Sequence, residues 1–239
     1  MTKHRKLGKT YIKNILREIK GSIGRCFAIV AIALLTTSVV TGLLLITPYL
    51  KNTMDVYLDG QNTMDIFIKS ELGLTEEDLL AIREQEIIGE AEAAKSLDKL
   101  ILNSSGKTLT ARFYGQSFEN QVNRLMLTEG RLPENTNECL AIAGSDTFYP
   151  VAVGEKLKIS PANDDFENIG DEFAETEFTV VGIAESPLYY AKLQEMSTLG
   201  SGSVDTVLYT LPESFNLEVY TDFFLKLKGS EEFVAFTDE

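Results

Sequence analysis

CFAIVAIALLTTSVVTGLLLITPYL, residues 26–50, runs for 25 positions without a charged side chain and is bracketed by Arg25 and Lys51. As an α-helix rising about 1.5 Å per residue it would measure about 37 Å, against about 30 Å of bilayer hydrocarbon. Its only polar side chains, Thr36, Thr37, Ser38, Thr41 and Thr47, have hydroxyls that can bond back onto helix carbonyls. A surface helix of a soluble domain would show a polar face; this run shows none and reads as a membrane-spanning helix. A cleaved signal peptide has an apolar core of about 7–15 residues followed by small residues at a cleavage site. The run here is longer, and Thr47-Pro48-Tyr49-Leu50-Lys51 offers no such site. Cys26 stands at the start of the run, not at its end, where a lipoprotein signal would need it.

Charge sets the orientation. Residues 1–25 hold eight Lys/Arg against the single acid Glu18, whereas residues 51–239 hold 14 bases and 35 acids, a net of −21. Short flanks rich in Lys and Arg stay in the cytoplasm, so the N-terminus is expected inside and the bulk of the chain outside, at the cell membrane. Arg25, Phe27, Tyr49 and Lys51 are the expected membrane-interface residues, two aromatics within the helix ends and two cations just beyond them. In YIKNILREIKGSIGR, Tyr11, Ile15, Ile19 and Ile23 recur every fourth position with Ile12 and Leu16 beside them, opposite Lys13, Arg17, Lys20 and Arg25. That spacing predicts a cationic amphipathic helix lying on the inner leaflet and turning into the bilayer near Gly21 or Gly24.

Beyond the run, Leu50, Met54, Tyr57 and Leu58 keep helical spacing, with a stop expected at Gly60 or Asn62 and a kink at Pro48. The expected organisation is a basic segment (1–25), a spanning helix (26–50), a helical stalk (51–62) and an outer domain (63–239). The fold class is α+β, one N-terminal transmembrane helix followed by a mixed α+β extracytoplasmic domain. MDIFIKS reads as a strand with Met64, Ile66 and Ile68 on one face. LTEEDLLAIREQ reads as a helix with Thr75 and Asp78 at capping-box spacing and Leu74 stapled onto Leu79. Extended stretches follow at 87–102 and in KTLTARFYG, turning at Asn103-Ser104-Ser105-Gly106, a β-α-β-β order with the short helix on one sheet face. NRLMLTEGRLP, ECLAIAG, VGEKLKIS, EFTVVGIAES, VDTVLYTLP and DFFLKLKG read as further strands. PANDDFENIGDEFAETE, rich in acids and without a base, reads as a solvated loop, and it lacks the regular ligand spacing of a calcium loop.

Several functions are disfavoured by residue content. Neither Gly8-Lys9-Thr10 nor Gly106-Lys107-Thr108 has the glycine five positions before the motif that a phosphate-binding loop needs; Lys3 and Ile101 stand there. The one histidine, His4, lies on the inner tail, which excludes a histidine triad or histidine-ligated metal in the outer domain. Cys26 and Cys139 fall at opposite ends of the expected topology, so they are not expected to pair, and Cys139 has no evident catalytic partner. An excess of carboxylates disfavours nucleic acid as a partner of the outer domain. The residues therefore point to no catalytic set, no metal site and no cofactor. Gly130 and Gly154 are expected at turns, Gly182 at a bulge or close backbone approach, and Arg131 with Glu138 as an ion pair across a turn.

Taken in order, the basic helix and span, MDIFIKSELGLTEEDLLAI, LTEGRLPENTNECLAIA, VGEKLKI, EFTVVGIAESPLYY and VDTVLYTLPESFN resemble the FtsX-like permease family. The similarity is to the N-terminal portion of a type VII ABC transporter permease with a MacB-like extracytoplasmic core domain. Its most distinctive carriers are Gly130 to Pro133 followed by Glu138, and Phe178 to Pro187. The resemblance implies a permease subunit without ATPase activity of its own, a cytoplasmic ABC ATPase partner, a permease dimer, and mechanotransmission from ATP hydrolysis to the outer domain. It also implies further spanning helices, so the chain is expected to be a fragment or truncated permease, with a helix starting in EEFVAFTDE. A single-span anchored binding or scaffold protein without a motor fits the same topology.

Overall fold

The computed structural model describes residues 9–119, 121–145, 148–190 and 195–230. His4, most of the basic tail and the expected helix start in EEFVAFTDE lie outside the described residues. The chain divides into two units, residues 1–54 with 236–239, and residues 55–235.

The first unit holds α1 (Lys9–Gly21) and α2 (Ile23–Gly60) as far as Met54, the two helices being separated at Ser22, next to the glycine where a turn was expected. Ser22 Oγ donates to the Glu18 carbonyl at 2.9 Å, and the Ser22 carbonyl accepts from Arg25 and Cys26. The α2 helix passes through the whole apolar run and through Pro48, and none of its side chains is buried. Thr37 Oγ1 donates to the Ala33 carbonyl at 2.8 Å, the back-bonding expected of hydroxyls in an apolar helix.

The second unit is an α+β domain built on one nine-stranded mixed sheet. Its elements are β1 (Ile66–Leu74), α3 (Glu76–Arg83), β2 (Ile88–Leu102), β3 (Thr108–Gly115), β4 (Met126–Gly130), β5 (Glu138–Ile142), β6 (Lys156–Ile159), α4 (Ile169–Glu172), β7 (Glu177–Glu185), β8 (Thr206–Thr210) and β9 (Tyr220–Leu227). The strands predicted from alternation are all present. The β-α-β-β order holds, but β1 and β2 are not neighbours, because β9 lies between them and pairs antiparallel with both. The α3 helix is closed by the expected capping box, Thr75 Oγ1 accepting from Asp78 N while Asp78 Oδ2 accepts from Thr75 N. It covers one face of this three-stranded part through Leu79, with Ile88, Ala91, Phe223 and Leu225 beneath and Leu74 alongside. Met64 departs from expectation: it precedes β1 and packs with Phe224 on one side of the sheet, whereas Ile68 packs with Phe223 on the other.

Beyond Ala94, β2 changes partner. Lys95–Leu102 pair with β3, which runs parallel to β8; β8 pairs with β5, β5 runs parallel to β7, β7 pairs with β6, and β6 returns to β2 at Ile101 and Leu102. Six strands thus close into a small barrel. Its interior takes alternate residues of each strand, among them Ile101, Phe113, Cys139, Leu157, Phe178 and Leu208. Faces pointing the other way are also covered: Tyr114, Leu140 and Tyr209 pack under loop residues Val122, Phe148 and Tyr189. That is why β3 is buried on both faces.

The acid-rich stretch keeps most of its carboxylates in solvent, as expected, but it is not a free loop. Ile169 and Phe173 enter the barrel core, where Phe173 lies 5.1 Å from Phe113 and 4.7 Å from Phe215 between ring centroids. Lys99, 4% exposed, reaches Asp165 at 2.5 Å and Glu172 at 2.6 Å, and Asn163 bonds both backbone groups of Leu100. A base from β2 bridges two of its acids, two from β6 pair with Glu177, and together they hold the stretch against the seam where the barrel closes.

Candidate functional site

Arg25, Phe27, Tyr49 and Lys51 all lie on α2. Phe27 and Tyr49 are strongly exposed, at 76% and 71%. At about 1.5 Å per residue the two rings are separated by about 33 Å along the axis, and Arg25 and Lys51 by about 39 Å. Those spans bracket the roughly 30 Å hydrocarbon layer and fall inside the roughly 40–45 Å that includes the headgroups. The helix is long and apolar enough to cross a membrane. Uncovered, its run of Leu, Ile and Val would expose in water a surface far larger than the apolar patches soluble monomers carry.

Helix α2 ends in a Schellman motif. Asn62 takes a left-handed conformation (φ 47°), Thr63 N donates to the Leu58 carbonyl at 2.9 Å, and Asn62 N donates to the Asp59 carbonyl at 2.9 Å. Asparagine is the residue besides glycine that tolerates this φ most readily. The same asparagine opens a clasp. Its carbonyl accepts from Asn123 N at 3.0 Å, and its Nδ2 donates to Glu90 Oε2 at 2.7 Å and to the Gln121 carbonyl at 2.9 Å. Asn123, itself left-handed (φ 54°), returns Oδ1 to Met64 N at 2.9 Å, and Arg124 N donates to the Gln61 carbonyl. From β2, the Glu92 carboxylate accepts from Gln121 N at 2.6 Å and Val122 N at 3.2 Å. Burial raises the Glu92 carboxyl above its ordinary range, and those two N–H donors act in the opposite direction. The turn leaving the helix is thereby locked to the loop 116–125 and to β2.

The distinctive motif of the sequence forms a second rigid element. Gly130 (φ 78°) ends β4 against β7, and a Cβ there would collide with the Val181 carbonyl. At Gly182 a Cβ would lie 2.6 Å from the Arg131 carbonyl, 2.7 Å from Leu140 Cδ2 and 2.8 Å from the Glu129 carbonyl. The β5–β7 register shifts at the same place, so the close approach and the bulge coincide. Arg131 and Glu138 pair as expected, Nη2 to Oε1 at 2.5 Å and Nη1 to Oε2 at 2.8 Å. Glu138 also accepts from Glu134 N at 2.8 Å, and the Arg131 guanidinium, with that backbone donor, holds its carboxyl down at about 2. The turn carrying Pro133 is fixed from within, and its bidentate pair serves structure.

Other candidates stay apart. Lys107 of the second GKT tripeptide lies over the Tyr149 ring at 4.0 Å, at the start of a strand. Gly8 of the first tripeptide lies outside the described residues. Cys139 is fully buried inside the barrel, where burial pushes its thiol well up and makes it unreactive. Among the described residues no group of three or more His, Cys, Asp or Glu could hold a metal ion. Sequence reasoning did not find the clasp: Asn62 was visible as a helix stop, but nothing local marks Asn123, Glu90 or Glu92 as its partners.

No protein-family model matches the chain, and no curated protein matches it. Solved structures do. The periplasmic region of MacB from Actinobacillus actinomycetemcomitans matches at 14% identity and a TM-score of 0.39, over 68% of this chain and 67% of that one. The extracellular domain of the noncanonic ABC-type transporter YknZ from Gram-positive bacteria matches at 10% identity and 0.40, over 70% and 83%. A domain assigned to a permease protein from Porphyromonas gingivalis matches at 15% and 0.35, over 65% and 63%. The functional reading that follows rests on the chain's own residues.

Proposed function

We propose that this chain acts as a permease-type membrane subunit of an ABC system, with its N-terminus in the cytoplasm and its sheet domain outside. The observation that carries this reading is α2: a 25-residue uncharged run, uncovered by protein, with eight cations on one side of it. The same helix continues to a capped end that is clasped by the outer domain. A cytoplasmic ATPase partner would supply the motion, and α2 would carry it outward. Arg25, Phe27, Tyr49 and Lys51 set the depth of the helix by interface anchoring. The ordered motif resemblance supports the permease reading over a plain anchor.

Orientation is tested by labelling intact cells with a membrane-impermeant maleimide. Ser104 lies in the exposed turn between β2 and β3, so Ser104→Cys should label in intact cells, while a cysteine replacing His4 should label only after lysis. The native background is low, since Cys139 is buried and Cys26 begins the apolar run. The reverse pattern would invert the topology and remove the basis for the permease reading.

A further inference from the structure

Beside the clasp, the loop 116–125 and the turn after β4 enclose a cleft of about 320 Å³. Three carboxamides line it, Gln116, Gln121 and Asn123, together with Phe118, Leu125 and Leu132. One of the amides is buried with a bond left unmade. Gln116 is 4% exposed and lines the cleft beside Asn123. Asn123 is 2% exposed, and its Nδ2 has no partner among the described residues while its Oδ1 is taken by Met64 N. Buried polar groups in native folds are ordinarily satisfied, so an unpaired amide nitrogen at the cleft points to a ligand that completes it.

A carboxamide offers a donor and an acceptor in one plane, which matches another amide. Among the described lining residues the charged ones are Arg124 and Glu119, of opposite sign, so the net demand for charge is nil. A second feature distinguishes among amide-bearing ligands. Arg124 and Leu125 precede β4 and Leu132 follows it, and among the described strands β4 pairs with β7 alone. Among the described residues its other edge has no backbone partner, next to the exposed side chains of Met126 and Leu127. An open strand edge beside a pocket is the arrangement that binds extended peptides by strand addition.

We propose that this cleft is a binding site for an extended, uncharged peptide segment, which adds to the open edge of β4 and presents an amide to Gln116 and Asn123. Such a site would serve an anchored binding module as well as a transporter subunit, and it does not depend on an ATPase.

The test uses the full chain in lipid nanodiscs and a pooled library of capped hexapeptides built from uncharged residues. Retained members are identified by mass spectrometry against empty nanodiscs and then measured singly. Retained peptides are expected to bind with Kd below about 1 mM, and to weaken at least about tenfold in Gln116→Leu, which keeps the volume but removes the amide. The same loss is expected when alternate backbone nitrogens of the peptide are methylated, which blocks strand addition without changing side chains. Leu132→Glu, at an exposed position, should weaken binding while leaving thermal unfolding unchanged, which separates the site from a folding defect. The proposal is overturned if no peptide is retained above the empty-nanodisc level, or if retained peptides bind both variants as tightly as the parent. It is equally overturned if N,N′-diacetylchitobiose binds in a Gln116-dependent way and no peptide does.

Discussion

Glycine at position 182 is required by three neighbours at once, two carbonyls and a leucine methyl, all within 2.8 Å of where a Cβ would stand. Gly182→Ala should therefore destabilise the sheet domain by about 1–3 kcal/mol, a drop of several degrees in the midpoint of thermal unfolding followed by circular dichroism. An unchanged midpoint would mean that β7 can bend away at no cost. Position 138 carries a pH signature. Its carboxyl is held at about 2 when folded, against about 4.3 in an unfolded chain, so its charged form stabilises the fold fully above about pH 4.3. That contribution is lost as pH falls from there toward about 2. The stability difference between the parent and Glu138→Gln should accordingly be largest at neutral pH and shrink through this window; a difference that stays constant would show the pair to be inert. Arg131 and Glu138 were readable because they face each other across one turn. Asn123 was not, since its side chain bonds Met64 from 59 positions away and no local pattern announces it.

Elements with a strong period or an uninterrupted run were the most legible. The apolar run predicts α2, the capping box predicts the start of α3, and turn residues bracket each strand. The acid-rich stretch 161–177 misled in part for a physical reason: its charges are locally unpaired in the sequence, and Lys99, which bridges two of them, comes from a strand more than 60 positions earlier. Ile169 and Phe173, the two residues that anchor it, carry no periodic signal in so short a segment. For α2 the element-scale prediction is direct. Leu35→Arg places a charge at the middle of the run and should cost about 2.5–3.5 kcal/mol of insertion free energy, read as the ratio of inserted to translocated product in a glycosylation-reporter assay. Insertion equal to the parent would contradict the spanning assignment.

Across the whole molecule, the composition of the sheet was legible but its topology was not. Ring closure depends on two residue pairs between β2 and β6, and the last strand, β9, supplies the contact that joins β1 to β2. Pairings of such sequence separation are decided by which apolar faces meet after collapse, not by local preference. Charge is a whole-molecule property as well: the net of −21 after the apolar run and the eight cations before it are what the proposed orientation rests on. The central claim is that this subunit works with a separate ATPase whose motion α2 conveys. It is tested most directly by solubilising the complete gene product, tagged, from native membranes in mild detergent and quantifying what co-purifies by mass spectrometry. The account predicts a nucleotide-binding subunit recovered in stoichiometric amount. Its repeated absence, with the intact product confirmed in the eluate, would contradict the claim and leave an anchored binding module in its place.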